Sequence, residues 1–262
     1  MAVSNYPQST FFSDVMRGKL PKYRIVHKFG HNESVGTTVE PICYGGVYPT
    51  PQVSGATTLR IKAGGDATDT AAGDGAREIT LVGLDANGDE VTETLATNGA
   101  SASSATTTAF LRLYRVYVSA SGTYASSTAG SHTADITIED SGGSADWATI
   151  EASNFPHGQS EIGAYSVPNG YRAFISHITI FIESAKPATI YLFQRPNILE
   201  TSVPYSAMRV VYSIEGAAGQ LSVPLDYPLG PFDAGTDIGF MGNVAMNSTQ
   251  ISVNFELLLE EV

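Results

Sequence analysis

Residues 77–96 read REITLVGLDANGDEVTETLA, and this stretch decides the fold class. Its two halves, residues 77–84 and 90–96, are rich in β-branched and aliphatic side chains, and the residues DANGD separate them. Asn87-Gly88 readily takes the positive φ angles that tight hairpin turns need. The stretch therefore predicts two antiparallel strands joined by a turn.

Short strand-like segments continue on both sides of this hairpin. Residues 58–63 alternate apolar and polar side chains, and so do residues 110–118 (FLRLYRVYV), which place Arg112 and Arg115 on opposite faces. No segment shows a convincing period of 3.6 residues, so the sequence predicts an all-β fold of the β-sandwich or jelly-roll-like kind. The remaining predicted strands cover residues 134–139, 147–150, 162–167, 171–184, 188–194, 208–214, 220–224, 237–244 and 250–259.

The N-terminal part of the chain lacks a sustained period. Proline and glycine interrupt residues 1–55 repeatedly, and only residues 9–17 favour a short helix. Aromatic side chains are nevertheless frequent there, which is unusual for a disordered tail. We therefore expect an extended N-terminal docking arm over residues 1–55, ordered by lying on its own body or on another subunit.

A break at residues 155–158 (FPHG) divides the rest of the chain into two parts. Residues 56–153 are expected to form a first β unit. Residues 154–262 are expected to form a second unit, a jelly-roll-like β-sandwich. A chain of 262 residues is long enough for two such units, each with its own core.

The net charge of the chain and the position of its basic residues limit the classes of partner that we expect. The net charge is −12, which disfavours a nucleic-acid partner because phosphate contacts need clustered Lys and Arg. Basic residues gather between Arg17 and Lys28, which suits an arm that docks on an acidic neighbour; the alternative is a solvated, partly disordered terminus. No apolar run is long enough to span a membrane, and the first residues lack a secretory signal, so we expect no membrane partner.

The side chains expected to contact a partner are the aromatic and basic residues of the arm. Large aromatic rings and arginine are the groups that most often carry binding energy at protein interfaces. The candidates are Tyr6, Phe11, Phe12, Arg17, Tyr23, Arg24, Lys28 and Phe29.

Sites for metal or bond chemistry are weak in this sequence. His27 and His31 have a zinc spacing only on a helix, which nothing here predicts, and Cys43 fits a small buried residue. Two acidic loops lack the spacing of a calcium loop, and Asp and Asn are common in turns for backbone reasons. Nucleophile, phosphate-loop and dinucleotide motifs are missing, so we expect no enzymatic activity, no metal and no cofactor. The loop residues concerned are Asp66, Asp69, Asp74, Asp85, Asn87 and Asp89.

Four motifs carry a resemblance to a known family. They are KFGHN at residues 28–32, TAAGDGAR at 70–77, GLDANG at 83–88 and FLRLYR at 110–115. Their succession resembles structural proteins of tailed bacteriophages, and YSVPNGY at residues 165–171 extends the similarity less distinctly into the second half. These motifs are turn and strand features, so they carry no functional residue with them.

The resemblance implies a virion component present in several or many copies. The first expectation is a capsid decoration (cement) protein on the capsid exterior, which forms homo-oligomers, most simply trimers, and docks on the major capsid protein or other virion proteins. The alternative is a tail-associated adaptor or a fibre-like component that binds host glycans. Trp147, the single tryptophan, fits a sugar-stacking ring in the second case, although a place in the core is the better interpretation.

Overall fold

A computed structural model describes residues 8–46, 48–51, 55–123, 131–152, 158–183 and 186–262. Strands dominate it, and the prediction of an all-β, sandwich-like fold is confirmed. In chain order the helix and strands are α1 (Gln8–Met16), β1 (Tyr23–Val35), β2 (Glu40–Pro41), β3 (Thr57–Ile61), β4 (Ala76–Asp85), β5 (Glu90–Ala96), β6 (Ala109–Ser121), β7 (Ile136–Asp140), β8 (Asp146–Ile150), β9 (Ala164–Ser166), β10 (Tyr171–Ile182), β11 (Ala188–Arg195), β12 (Arg209–Ala217), β13 (Gly219–Val223), β14 (Leu229–Phe232), β15 (Asp237–Val244) and β16 (Thr249–Glu261).

The first sheet has the strand order β1-β16-β10-β13, and β14 also pairs with β10. Strand β16 lies in its middle and runs antiparallel to both neighbours. Its alternate side chains Ile251, Val253, Phe255 and Leu257 are buried, as expected of a strand with one face on a core. Strand β1 pairs with the edge of β16 that faces away from β10, and Tyr23 lies opposite Glu260.

The second sheet has the order β12-β11-β15-β2, and β9 pairs with β15. Strand β11 turns Ala188, Ile190 and Leu192 toward the core that this sheet shares with the first one. The two sheets therefore form a sandwich, in which the inner faces supply one continuous apolar layer.

The third sheet is made of the strands from β3 to β8, in the order β5-β4-β6-β3-β7-β8. Its core contains Phe110 and Trp147, which is only 3% exposed, so the interpretation of Trp147 as a core residue is confirmed. Ala164 and Phe193 of the second sheet enter the same core. Burial of shared apolar surface thus holds the third sheet against the sandwich.

The strands of the third sheet and those of the sandwich fall in separate parts of the chain, apart from β1 and β2. All strands of the third sheet fall within residues 56–153, which we call the first unit. Strands β9–β16 fall within residues 154–262 and, together with β1 and β2, form the second unit. Residues 155–157 of the predicted break lie outside the described residues.

The predicted docking arm differs from the structure from Tyr23 onward. Residues 23–35 form a long strand that pairs with β16 of the same chain, and Val35, Ile42 and Cys43 are at most 1% exposed. Of the two surfaces considered for the arm, its own body is therefore the one that orders residues 23–46. Sequence patterning missed β1 because its apolar and polar side chains do not alternate cleanly and Gly30 interrupts it.

A nine-residue helix precedes this strand, close to where the sequence predicts one. In the described part of the chain, no helix has the length and apolar character needed to cross a membrane.

Candidate functional site

Three of the predicted partner-contacting aromatic residues, Phe11, Phe12 and Tyr23, pack on each other. The Phe11 ring lies edge-on to Phe12, with centroids 5.5 Å apart, and edge-on to Tyr23 at 5.2 Å. Such edge-to-face pairs add to the burial of each ring. This cluster attaches α1 to the start of β1, so these rings are half-buried within the chain.

The other predicted contact residues do not belong to this cluster. Arg17 is exposed just after α1, whereas Phe29 is half-buried on β1. Tyr6 lies outside the described residues. Contact of any of them with a partner stays a prediction.

Arg24 joins the two units instead of reaching away from them. Its Nη1 and Nη2 atoms donate to Oε1 and Oε2 of Glu90, at 3.1 and 2.5 Å, and Glu90 begins β5 of the first unit. The guanidinium also lies over the Tyr171 ring, 4.6 Å from its centroid. Both partners of the ion pair are about one-third exposed, so solvent screens it and it contributes modestly to stability.

Lys28 is buried at the same junction. Its Nζ donates to the main-chain carbonyl of Tyr114 on β6 and lies 5.7 Å from the centroid of that ring. Burial, together with the neighbouring positive charge of Arg115, lowers the pKa of Lys28 to about 7. The lysine is therefore a neutral or weakly charged donor that fastens β1 to the first unit.

These side chains surround a cavity between β1 and the first unit. It has a volume of about 290 Å³ and is lined by Arg24, Lys28, Glu90, Tyr114 and Tyr165, among others. The rings of Tyr114 and Tyr165 pack at 4.7 Å, and burial raises the pKa of both hydroxyls. The groups lining the cavity are thus mostly engaged in holding the units together.

A substitution at Lys28 is expected to change how stability depends on pH. The unfolded chain binds a proton at this lysine up to a pKa of 10.5, whereas the folded protein releases it near 7. Stability therefore rises with pH above 7, because the unfolded state then binds more protons. Between pH 7 and pH 8 the free energy of unfolding should therefore rise by about 1 kcal/mol more in the wild type than in Lys28→Met.

Urea unfolding at the two pH values measures this difference. Lys186→Met is the matched control, because Lys186 is 41% exposed and pairs with Glu183 at the surface. An equal pH dependence in wild type and Lys28→Met would contradict the burial of a titrating lysine at this position.

A fully buried ion cluster lies between the units. Arg112 of β6 donates from Nε to Asp237 Oδ1 at 3.0 Å and from Nη2 to Oδ2 at 3.0 Å, and both side chains are 0% exposed. Nη2 of Arg195, on β11, lies 3.4 Å from the same Oδ2 atom. One carboxylate of β15 therefore ties two strands of the second unit to the central strand of the first.

Neutral hydroxyl groups complete the cluster. Ser166 donates to Asp237 Oδ1 at 2.6 Å, and Thr50 donates to Oδ2 at 2.6 Å while it accepts from Arg195 Nε at 2.9 Å. Tyr48 donates to Oδ1 at 3.3 Å. Both carboxylate oxygens are saturated with donors and sealed from solvent, so this arrangement is suited to fastening strands and not to chemistry on a ligand.

The charge state of the cluster follows from its geometry. Burial alone would raise the pKa of Asp237, but the charge of Arg112 and the hydrogen bonds from Arg112, Ser166 and Thr50 outweigh it and lower this pKa below its ordinary value. The carboxylate thus remains ionised at neutral pH, as two buried arginines require. Sequence reasoning noted Arg112 within an apolar strand, and such a residue signals a buried carboxylate partner elsewhere.

The acidic loops form turns, as their composition suggested. Asp69 accepts from the main-chain N–H groups of Ala76 and Thr133, and Asp85 accepts from those of Asn87 and Asp89. Among the residues that the structure describes, no group of three or more His, Cys, Asp or Glu is placed to hold a metal ion.

The isolated histidines and the cysteine have local partners or are buried. His27 and His31 lie on strand β1 beside Glu256 and Ser252 respectively, and four residues along a strand separate them by roughly 13 Å. Cys43 is buried, and burial raises the pKa of its thiol to about 12. The cysteine is thus an unreactive core residue, as predicted.

An exposed apolar surface lies at the opposite edge of the sandwich from β1. Strand β12 is the last strand of the second sheet, and the loop before it is also apolar. We call this surface the β12 edge; it comprises Met208 (37% exposed), Val210 (58%) and Tyr212 (41%), and the preceding loop also exposes Leu199 (54%) and Val203 (77%). Nothing in the sequence patterning distinguished it, because an apolar strand is normally read as core.

Comparisons with protein-family models, with curated proteins and with solved structures found no match to this chain.

Proposed function

We propose that the protein is a structural component of a tailed-bacteriophage particle, and specifically a decoration protein that binds the outside of the capsid. The four motifs described above and the all-β sandwich support this role. The observation that carries it is the β12 edge, where large apolar side chains are exposed in a molecule with well-filled cores. Exposed apolar surface of this kind marks contact with another protein chain, which suits the homo-oligomer that the resemblance implies, while the capsid contact falls to the basic residues that precede β1.

Docking then uses the rigid body of the molecule, because most of the expected arm belongs to the sheets. Residues 23–46 are held by pairing with β16 and by the junction at Lys28. The exposed residues that precede β1, such as Met16, Arg17 and Lys19, supply the basic contact to an acidic neighbour such as a capsid subunit. A preformed surface binds without the entropy loss of ordering an arm.

The proposed role is non-enzymatic and needs no cofactor. The buried ion cluster and the Lys28 junction are devices that keep two units in one rigid body, which is what a protein that stabilises a shell requires. The tail-associated alternative gains no support from Trp147, because this ring is buried and is not presented to a glycan.

Particles assembled with and without the protein test the proposed role. Particles that lack it should release their genome at a lower temperature, and adding the purified protein should restore the original release temperature. A variant with Val210→Lys and Tyr212→Lys should restore it less well, because it places charges on the β12 edge.

The matched control is Tyr227→Lys, which changes another exposed apolar side chain, 73% exposed, outside the β12 edge. Equal release temperatures for the two kinds of particle would contradict a shell-stabilising role.

A further inference from the structure

The outer edge of β12 is open for pairing. The strand has nine residues, RVVYSIEGA, and in the described part of the chain it pairs only with β11. An unpaired outer edge presents main-chain N–H and C=O groups in a row, which is a template for another strand. Val211 and Ile214 pack inward on the sandwich core, whereas Val210 and Tyr212 are exposed.

The end strand of the third sheet is protected in a way that β12 is not. Strand β5 carries Glu90 and Glu93, and Glu93 accepts hydrogen bonds from the main-chain N–H groups of Thr107 and Thr108. Charges along an edge are a common defence against unwanted pairing. In β12 the charged residues Arg209 and Glu215 lie toward the two ends, and the residues between them are VVYSI. Its middle is therefore left free to pair.

The charges of β12 are self-complementary. Arg209 and Glu215 have opposite signs and lie three residues before and after Tyr212. When two such strands run antiparallel about a two-fold axis near Tyr212, the Arg209 end of each lies beside the Glu215 end of the other. The same rotation brings Tyr212 next to its copy, and aromatic pairs across strands are favourable.

We propose that two copies of this chain associate by antiparallel pairing of their β12 strands. The contact joins the two second sheets into one continuous sheet across the two-fold axis, with the same surface used by both copies. Met208, the residue directly before the strand, is also exposed and extends the apolar contact beyond the strand itself.

One feature of the strand limits how long the regular pairing is. The register of β12 against β11 shifts twice, beside Val211 and between Ile214 and Ala217, and each shift adds local twist. Each shift displaces one end of the pair by about one residue, a distance that the long side chains of Arg209 and Glu215 span. The ion pairs at the ends thus fix the direction and approximate register of the two strands.

This inference rests on the proposed assembly role, but it is tested on the purified protein, so it can fail while the particle experiment succeeds. The resemblance implies a trimer, whereas an isologous two-fold contact produces a dimer. The two expectations are distinguished by a mass in solution.

Sedimentation equilibrium of four proteins provides the test: the wild type, Glu215→Arg, Arg209→Glu and the double exchange Arg209→Glu with Glu215→Arg. The wild type should be a dimer. Each single reversal places like charges together twice in every dimer, so the dissociation constant should rise at least about tenfold. The double exchange restores opposite signs and should return the dissociation constant to near the wild-type value.

Glu33→Arg is the control, because it reverses an exposed charge on β1 at the other edge of the sandwich. It should leave the dimer unchanged. A monomeric or trimeric wild type, a dimer insensitive to both single reversals, or a double exchange no better than the single ones would each overturn the proposed pairing. Circular dichroism of every variant confirms that these exposed substitutions leave the fold intact.

Discussion

Replacing Asp237 with Asn is expected to lower the free energy of unfolding by about 3–5 kcal/mol. The substitution keeps the size of the side chain but removes the charge that compensates Arg112 and Arg195, and these are at most 2% exposed. Two buried guanidinium charges without a carboxylate destabilise the folded state, because no water can take the place of the carboxylate in the interior. Urea unfolding followed by circular dichroism measures the loss.

Asp233→Asn is the matched control for this prediction. Asp233 is exposed and precedes β15 by only four residues, so its neutralisation should change stability by less than about 0.5 kcal/mol. A loss below about 1 kcal/mol in Asp237→Asn would mean that the cluster does not hold the units together.

The same carboxylate gives the protein a pH dependence with a defined sign. The folded-state pKa of Asp237 is lowered, so its contribution to stability is present above the pKa of about 3.9 that an aspartate has in an unfolded chain. The contribution disappears as the pH falls through the folded-state value. The wild type should therefore lose more stability than Asp237→Asn when acidified below pH 4.

A methyl group at Gly30 is expected to cost about 3 kcal/mol or more. A Cβ atom built on Gly30 lies 2.3 Å from the Cα of Gly163 and 2.5 Å from the carbonyl oxygen of Ile42. Both of these are main-chain atoms, so no side-chain rotation relieves the contact. Gly30→Ala should push β1 away from the segment before β9 and lower the unfolding temperature.

Gly36→Ala is the control for Gly30→Ala, since it lies just beyond the same strand. A Cβ atom there meets nothing closer than Glu40 Oε1, at 3.8 Å, so the melting temperature should change little. An unaltered melting temperature in Gly30→Ala would contradict the placement of β1 within the body of the protein, and would favour the arm that the sequence suggested.

Strands whose apolar side chains alternate were predicted from the sequence. Strands β5 and β15 were placed at their observed ends, and β16 was placed within two residues of each end. In β16 the periodicity of two is intact from Ile251 to Leu257, and turn-forming residues precede all three segments. The local sequence can predict such strands, because in a half-buried strand every second side chain is apolar and identifies the face that packs on the core.

Strands β1 and β14 were missed for a related reason. Strand β1 is contacted by β16 along one edge and by the first unit elsewhere, so its polar residues Lys28 and Asn32 are buried beside apolar ones. Strand β14 contains Gly230-Pro231, a pair normally read as a turn. In both, tertiary contacts override the local pattern.

Less of the candidate functional site than of the fold could be predicted from the sequence. Arg112 and Asp237 are 125 residues apart in the chain, and one sequence holds no signal that pairs them. The partner-contacting residues were chosen for being aromatic or basic, yet Arg24 and Lys28 are used inside the chain because Glu90 and the Tyr114 carbonyl lie next to them. Exposure, which singles out the β12 edge, is a property of the folded molecule alone.

The number of copies in purified particles tests the proposed role most directly. Particles carrying this protein would be separated on a denaturing gel, and its band would be quantified against that of the major capsid protein. A decoration protein should be present in an amount comparable with the capsid protein. A band corresponding to only a few copies in each particle, or no band at all, would contradict a place on the capsid surface.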